Sequence, residues 1–278
     1  MNIAIIGCGY IGSSLAEHFS KLGHHVTTTT RSTKRLDQLK DISHKSLILY
    51  GKDENEIELL IQENDVLILT VAADSPDQYE EAYLTTALSI RHAATTSHSP
   101  KTLIYTSSSS VYGDHHGRWV DERSELLNKS EEGQILIDTE ETLLSLKEFG
   151  WNVCIFRLSE IYGPGRDLLS RFKNIEGRKL PGKGQNYTNM VHKEDIVGGI
   201  IYALNHRLEG IFNLTDDDHP KRMEFYDMIA QEHNLPKVEW DPSLLRLHSG
   251  NKRISNHKMK ASGYVFTRPH RVIVPLEA

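Results

Sequence analysis

Two cysteines in 278 residues, Cys8 and Cys154, are too few for a disulfide framework. Both lie inside apolar, strand-like runs without metal-ligand spacing, which points to reduced, buried thiols and suits a cytoplasmic setting. No stretch reaches the roughly 18 consecutive apolar residues a membrane helix needs. The apolar start MNIAIIGCGYIGSSL carries no basic flank and is broken by glycines, so it does not read as a signal peptide. A basic excess is also missing. With a formal charge of -6, neither nucleic acid nor an anionic membrane is favoured as a partner. There is no internal repeat, and no cluster of His, Cys and acidic residues has convincing metal spacing. What remains is an ordinary globular chain with enough apolar material for a large core.

Short apolar runs then alternate with longer amphipathic segments. Strand-like stretches fall at Ile3–Ile6, His25–Thr29, Leu47–Tyr50, Val66–Val71, Leu103–Tyr105 and Val153–Arg157, and again at Gly210–Leu214. The first intervening helix shows Ile11, Leu15, Phe19 and Leu22 on one face with Gly23 as its stop, and longer helices are expected over Asp77–Ser97 and Ser130–Phe149. Strands alternating with helices imply βαβ units and a parallel sheet. After Arg157 the chain turns rich in glycine, proline and basic residues. The expected fold is therefore α/β, a Rossmann-type doubly wound parallel sheet with a smaller C-terminal substrate domain. The first domain spans 1–165, with the chain returning to it at about 188–215, and the interleaved substrate-side domain spans 166–278.

Gly7, Gly9 and Gly12 have the G-x-G-x-x-G spacing, directly after a strand and opening a helix. Gly7 permits the tight turn, Gly9 lets the backbone approach a pyrophosphate, and Gly12 allows close helix–strand packing, with the anion at the helix N-terminus. An NAD site wants an acid at the end of the second strand for the ribose 2′-hydroxyl. No carboxylate occurs between Glu17 and Asp37. The strand HVTTTT instead runs into Arg31-Ser32-Thr33-Lys34-Arg35, where guanidinium and hydroxyl groups could receive a 2′-phosphate. NADP(H) is expected over NAD(H), with a solvated basic turn as the alternative reading.

A run of four serines, YTSSSSVYGDHHG at 105–117, is either a polar loop or a hydroxyl-lined site. With the fingerprint, VAAD at 71–74, RLSEIYGPG at 157–165, MVHKEDIV at 190–197 and RISNHKMKASGY near the end, the chain resembles the extended short-chain dehydrogenase/reductases, the NAD-dependent epimerase/dehydratase group, along nearly its whole length. The resemblance adds Tyr10, Ile11, Ala72, Ala73, Thr106, Leu158 and Ile161 to the expected cofactor site. It makes Ser108 the residue that orients a substrate oxygen, and it implies a homodimer pairing through the helices at 77–97 and 130–149.

That family also uses a Tyr-x-x-x-Lys pair one helical turn apart, the lysine lowering the tyrosine's pKa. Spacing places Gly133 and Ile137 there, followed by Glu141, which matches the family's next glutamate. None of the eleven tyrosines has lysine four residues later; Tyr162 with Arg166 comes nearest. Glu160 replaces the usual asparagine, and Thr188 stands where sugar-nucleotide enzymes often place a phosphate-gripping arginine. Tyr112, Asp114, His115 and His116 are the candidates for a replacement acid, while His192 reads as packing. This pattern is typical of the atypical subgroup. Two functions stay open: an NADP(H)-dependent oxidoreductase or epimerase-like enzyme acting on a small polar or anionic substrate, and a catalytically silent NADPH-binding regulatory or sensor module.

Overall fold

A computed structural model of the chain describes residues 1–96, 101–244, 250–271 and 273. Its centre is a seven-stranded parallel sheet. The first five strands in the sequence are β1 (Asn2–Ile6), β2 (His25–Thr30), β3 (Lys45–Ile48), β4 (Val66–Leu69) and β5 (Thr102–Ser108). Spatially the order is Gly210–Leu214, Asn152–Leu158, β5, β4, β1, β2, β3. The α/β, doubly wound reading holds. The helices α1 (Tyr10–Lys21), α2 (Thr33–Lys40), α3 (Glu54–Glu63), α4 (Thr86–Thr96) and α5 (Glu131–Leu144) alternate with these strands.

The central strands are apolar on both faces because helices cover both. On one face Ala4, Ile6, Leu67, Leu69, Leu103, Tyr105, Val153 and Ile155 pack with Leu60, Ile90 and Leu143 from α3, α4 and α5. The threonines of β2 are buried, and the hydroxyls of Thr28, Thr29 and Thr30 are hydrogen-bonded. Thr28 Oγ1 bonds Ser43 Oγ and Ser46 Oγ, each at 3.0 Å, Thr29 Oγ1 accepts from the Gly7 amide at 3.1 Å, and Thr30 Oγ1 accepts from the Ser32 amide at 3.1 Å. A run that looks like low complexity thus satisfies polar groups around the fingerprint turn.

Neither long helix forms as one piece. The stretch expected over 77–97 becomes a 3₁₀ turn at Pro76–Gln78, a π turn at Glu81–Thr85 and then α4; Ser97 lies outside the described residues. Gly51 packs closely against this stretch: a Cβ there would lie 2.3 Å from the Glu81 carbonyl oxygen and 2.5 Å from Thr86 Oγ1. A widened turn accommodates it. Likewise α5 gives way to a 3₁₀ segment at Ser145–Phe149, closed by Gly150 in the left-handed region.

Two compact units share the chain: 1–108, 130–157 and 197–211 form the first, and 109–129, 158–196 and 212–278 the second. The second unit therefore begins right after the serine-bearing strand, earlier than the expected boundary at 165. The backbone of 109–129 finds its partners there. Trp119–Val120 pairs in parallel with Arg253–Ile254, and the amides of His115 and Gly117 bond the Asn251 carbonyl at 3.1 and 2.8 Å. A separate core of Tyr162, Leu168, Phe172, Met190, Phe225 and Ile229 fills this unit.

Candidate cofactor crevice and substrate-side residues

The turn between β1 and α1 is built for close approach. Gly7 has φ of +80°, and a Cβ there would come within 2.7 Å of Val71 Cα; at Gly12 it would meet Thr70 Oγ1 at 2.8 Å. At Gly9, by contrast, an added Cβ would meet only the Gly7 carbonyl oxygen, at 3.8 Å. Two of the glycines are thus demanded by packing, while the space at Gly9 opens away from the protein's own atoms. Gly9 also caps α1. Tyr10 and Ile11 form the first turn, Ile11 buried and Tyr10 half-buried.

A cleft of about 170 Å³ lies over this turn, lined among others by Gly7, Gly9, Arg31, Ser32, Arg35 and Ala72. All six are among the residues the sequence reading expects at a cofactor; Tyr50, Gly51, Glu81 and Thr86, which it did not single out, line the same cleft. Arg31 Nη2 donates to the Ala72 carbonyl and to Asp74 Oδ2, both at 2.9 Å. Arg35 Nη2 donates to Ser13 Oγ at 3.1 Å, while its buried Nε has no hydrogen-bond partner among the described residues. Cys8 lines the same cleft as a neutral thiol, pushed up to about 11 by burial. The amide of Ala73 bonds the Tyr83 phenol, which also meets Tyr79. Thr106 Oγ1 donates to the Leu69 carbonyl at 3.1 Å. Leu158 and Ile161 belong to the second unit, Leu158 buried and the Ile161 carbonyl accepting from Arg171 Nη2 at 2.5 Å.

Ser108 ends β5 and is half-buried. Its neighbour Ser107 points the other way, because side chains alternate along a strand. Ser107 Oγ donates to Glu140 Oε1 at 2.5 Å, and Glu140 also holds Arg157, with Nε 3.1 Å from both carboxylate oxygens and Nη2 2.6 Å from Oε2. Both charged side chains are 3% exposed. This buried trio pins β5, α5 and the strand Asn152–Leu158 together.

It also bears on the register of α5. Glu140 is the buried, paired acid, and Glu141 beside it is exposed. Counting back four and eight residues from Glu140 gives Leu136 and Glu132, one residue before Ile137 and Gly133. Gly133 is buried in the capping turn, its amide donating to Ser130 Oγ at 3.1 Å, and Ile137 is half-buried. In neither register is there a tyrosine or a lysine. Glu132 does lie near enough to Tyr79 to help raise its pKa, which burial chiefly pushes up to about 12. The Tyr79–Tyr83 pair is therefore protonated at neutral pH, able to donate hydrogen bonds but not to act as a base.

Of the other acid candidates, Tyr112, His115 and Asp114 are held by hydrogen bonds. Tyr112 is fully buried and donates to Asn213 Oδ1 at 2.7 Å. His115 is buried, with Nε2 3.1 Å from the Glu125 carbonyl, while His116 is exposed. Asp114 Oδ1 accepts from the amides of His116 and Asn251 at 2.7 and 3.2 Å. His192 is buried, its Nδ1 accepting from the Glu194 amide at 3.2 Å, and burial lowers its pKa. Tyr162 is buried, and Arg166 closes a tight turn onto Gly163. Glu160 pairs with Arg171 at 2.8 Å. At Thr188 a guanidinium does arrive, from Arg271: Nη1 donates to Thr188 Oγ1 at 2.5 Å, but Nε is sealed against buried Asp216 at 2.8 Å. No group of three or more potential metal ligands occurs among the described residues, and no described helix is long and apolar enough to cross a membrane.

The fold and the fingerprint turn define a dinucleotide-binding class of α/β protein. The profile of the NAD dependent epimerase/dehydratase family matches residues 3–215, and the chain belongs to that family. It is 30% identical to protein YeeZ of Escherichia coli (strain K12) over 99% of both chains. Among solved structures, a functionally unknown conserved protein from Silicibacter pomeroyi superposes with a TM-score of 0.78 at 22% identity, covering 97% of this chain and 94% of that one. The UDP-glucose 4-epimerase of Thermus thermophilus, solved in complex with NAD, gives 0.78 at 20% identity, covering 95% and 94%.

Proposed function

We propose that this protein binds NADP(H) and works as an oxidoreductase or epimerase-like enzyme on a small polar or anionic substrate, with a non-standard acid/base. The observation that carries the cofactor half is the cleft over the Gly7–Gly12 turn. Its rim offers Arg31, Ser32 and Arg35, and no carboxylate at the end of β2 to take a ribose 2′-hydroxyl. Arg35 lines the same cleft, and Arg31 can exchange Asp74 for a phosphate. Ser108 supplies the hydroxyl for a substrate oxygen. Hydride transfer is the cofactor's own chemistry; the chain's task is to hold the nucleotide, orient the substrate and move a proton.

A silent NADPH-binding module is the second reading, favoured by the lack of Tyr and Lys in either register of α5. A lost general acid/base slows such reactions by roughly 100- to 10,000-fold while leaving cofactor affinity intact. Binding and turnover therefore need separate measurements. Fluorescence titration should show NADPH binding at least about tenfold tighter than NADH, equivalent to about 1.4 kcal/mol. Replacing Arg31 and Arg35 with Ala should erase that gap, and an NADH preference in the unaltered protein rejects the assignment. Carbonyl substrates presented with bound NADPH test the enzyme half; no turnover, with tight NADPH binding, leaves the silent module.

A further inference from the structure

The strand β2 ends without an acid of its own, yet the segment after β4 delivers one to it. Asp74 reaches Arg31 across 43 positions of sequence, and both residues line the cleft over Gly7 and Gly9. Arg31 Nη2 has two hydrogens, and both are committed: one goes to the Ala72 carbonyl and one to Asp74 Oδ2, each at 2.9 Å. Asp74 Oδ2 therefore sits where an anion held on this side of the guanidinium would put an oxygen.

The two bonds differ in kind. Ala72 accepts with a backbone carbonyl fixed by the chain, whereas Asp74 accepts with a side chain that is 82% exposed and makes no other hydrogen bond among the described residues. The guanidinium is the more enclosed partner, at 23%. Loss of the Asp74 bond thus leaves Arg31 tied to Ala72 inside the cleft. An exposed pair of this type contributes little to stability, so it is readily exchanged. Its charge still acts on an incoming ligand: a phosphate reaching Nη2 must displace the carboxylate, and one bound elsewhere on the guanidinium is repelled by it. A ribose 2′-hydroxyl carries no charge and can donate a hydrogen bond to the same oxygen.

We propose that Asp74 is a specificity-determining residue of the cofactor cleft, a carboxylate that competes with a ribose 2′-phosphate for Arg31 and so limits the preference for NADP(H) over NAD(H). This rests on the reading of the cleft as a dinucleotide site with Arg31 facing the 2′-position. It adds an opposing residue, from a different strand end, to the cations that favour the phosphate.

The test titrates the full chain with NADPH, NADH, adenosine 2′,5′-bisphosphate and 5′-AMP, using the unaltered protein, Asp74→Asn and Asp77→Asn. Asp77 is an exposed acid nearby without a bond to Arg31, so its replacement removes the same charge from the wrong place. In Asp74→Asn the two 2′-phosphorylated ligands should bind about three- to tenfold tighter, the range for unit charges a few ångströms apart at a solvated rim, while NADH and 5′-AMP stay within about twofold. Salt at about 0.5 M should shrink that gain. Asp77→Asn should match the unaltered protein. No gain, an equal gain for all four ligands, an equal gain in Asp77→Asn, or weaker binding of the 2′-phosphorylated ligands by Asp74→Asn would each overturn the assignment, the last by making Asp74 a brace for Arg31. The NADP(H) reading fails separately: an NADH preference in the unaltered protein rejects it, yet a selective gain in Asp74→Asn still upholds the role of Asp74. Absence of binding by all four ligands removes both.

Discussion

Replacing Glu140 with Gln removes one charge from a pair that has almost no access to water. The guanidinium of Arg157 would keep its place, 3% exposed, facing a neutral amide. Breaking a buried ion pair from one side costs about 3–5 kcal/mol, because the remaining charge is left without a partner. The three guanidinium–carboxylate contacts, at 2.6 to 3.1 Å, and the Ser107 bond put this site toward the middle or top of that range. With a urea m-value of about 3 kcal/mol/M, a loss of about 4 kcal/mol lowers the unfolding midpoint by about 1.3 M. Trp151 sits in the core of the first unit and reports on it directly, once Trp119 and Trp240 of the second unit are replaced by Phe. Two further variants separate charge from packing. Ser107→Ala should lose about 1–2 kcal/mol, one charge-assisted bond. The double replacement Glu140→Met with Arg157→Met removes both charges and should be clearly less damaging than Glu140→Gln. A Glu140→Gln loss under about 1 kcal/mol, or a double variant at least as unstable, would refute the view that this pair organises the end of β5.

Further expectations concern glycine and histidine positions. Gly9→Ala should leave the melting temperature within about a degree or two, since its Cβ meets almost nothing, but weaken nucleotide binding at least about tenfold by occupying pyrophosphate space. Gly7→Ala should instead destabilise the fold measurably by calorimetry, through its positive φ and the contact with Val71. Acidification should weaken the second unit. Burial, aided by Arg271, lowers His219 to about 4; the unfolded chain takes its proton near pH 6.5, so the native advantage is full above that value and drains away between about pH 6.5 and 4. His219→Gln should flatten the melting temperature across that window, and an unchanged slope would contradict the assigned burial.

Much of this architecture could be read from residues alone, for identifiable reasons. The β1 run and Gly7, Gly9 and Gly12 are local signals, each sufficient where it stands, and β1, β2 and Gly210–Leu214 fall within a residue of expectation. Gly7, Gly9, Arg31, Ser32, Arg35 and Ala72, singled out in the sequence, do line one cleft. Long-range contacts were not. Nothing in DSPDQYEEAYLTT announces a π turn packed against Gly51. The early departure at residue 109 depends on a partner strand some 130 positions away, and Glu140 and Glu141 look alike until Arg157 chooses between them. His115 offered no sign that its side chain would be buried.

The four serines have a grammar that composition hides. Ser107 and Ser109 are buried, Ser108 is half-buried and Ser110 exposed. Ser107 and Ser108 alternate along β5 while Ser109 and Ser110 lie in the 3₁₀ turn that follows, so the letters are identical but the addresses are not. A single inserted or deleted residue between Tyr105 and Ser107 would leave a serine at every one of the middle positions, and a sequence comparison would score it as harmless. The run therefore tolerates slippage in spelling, and what anchors its phase is Glu140, which selects one hydroxyl for the interior and so delivers the next one to the surface.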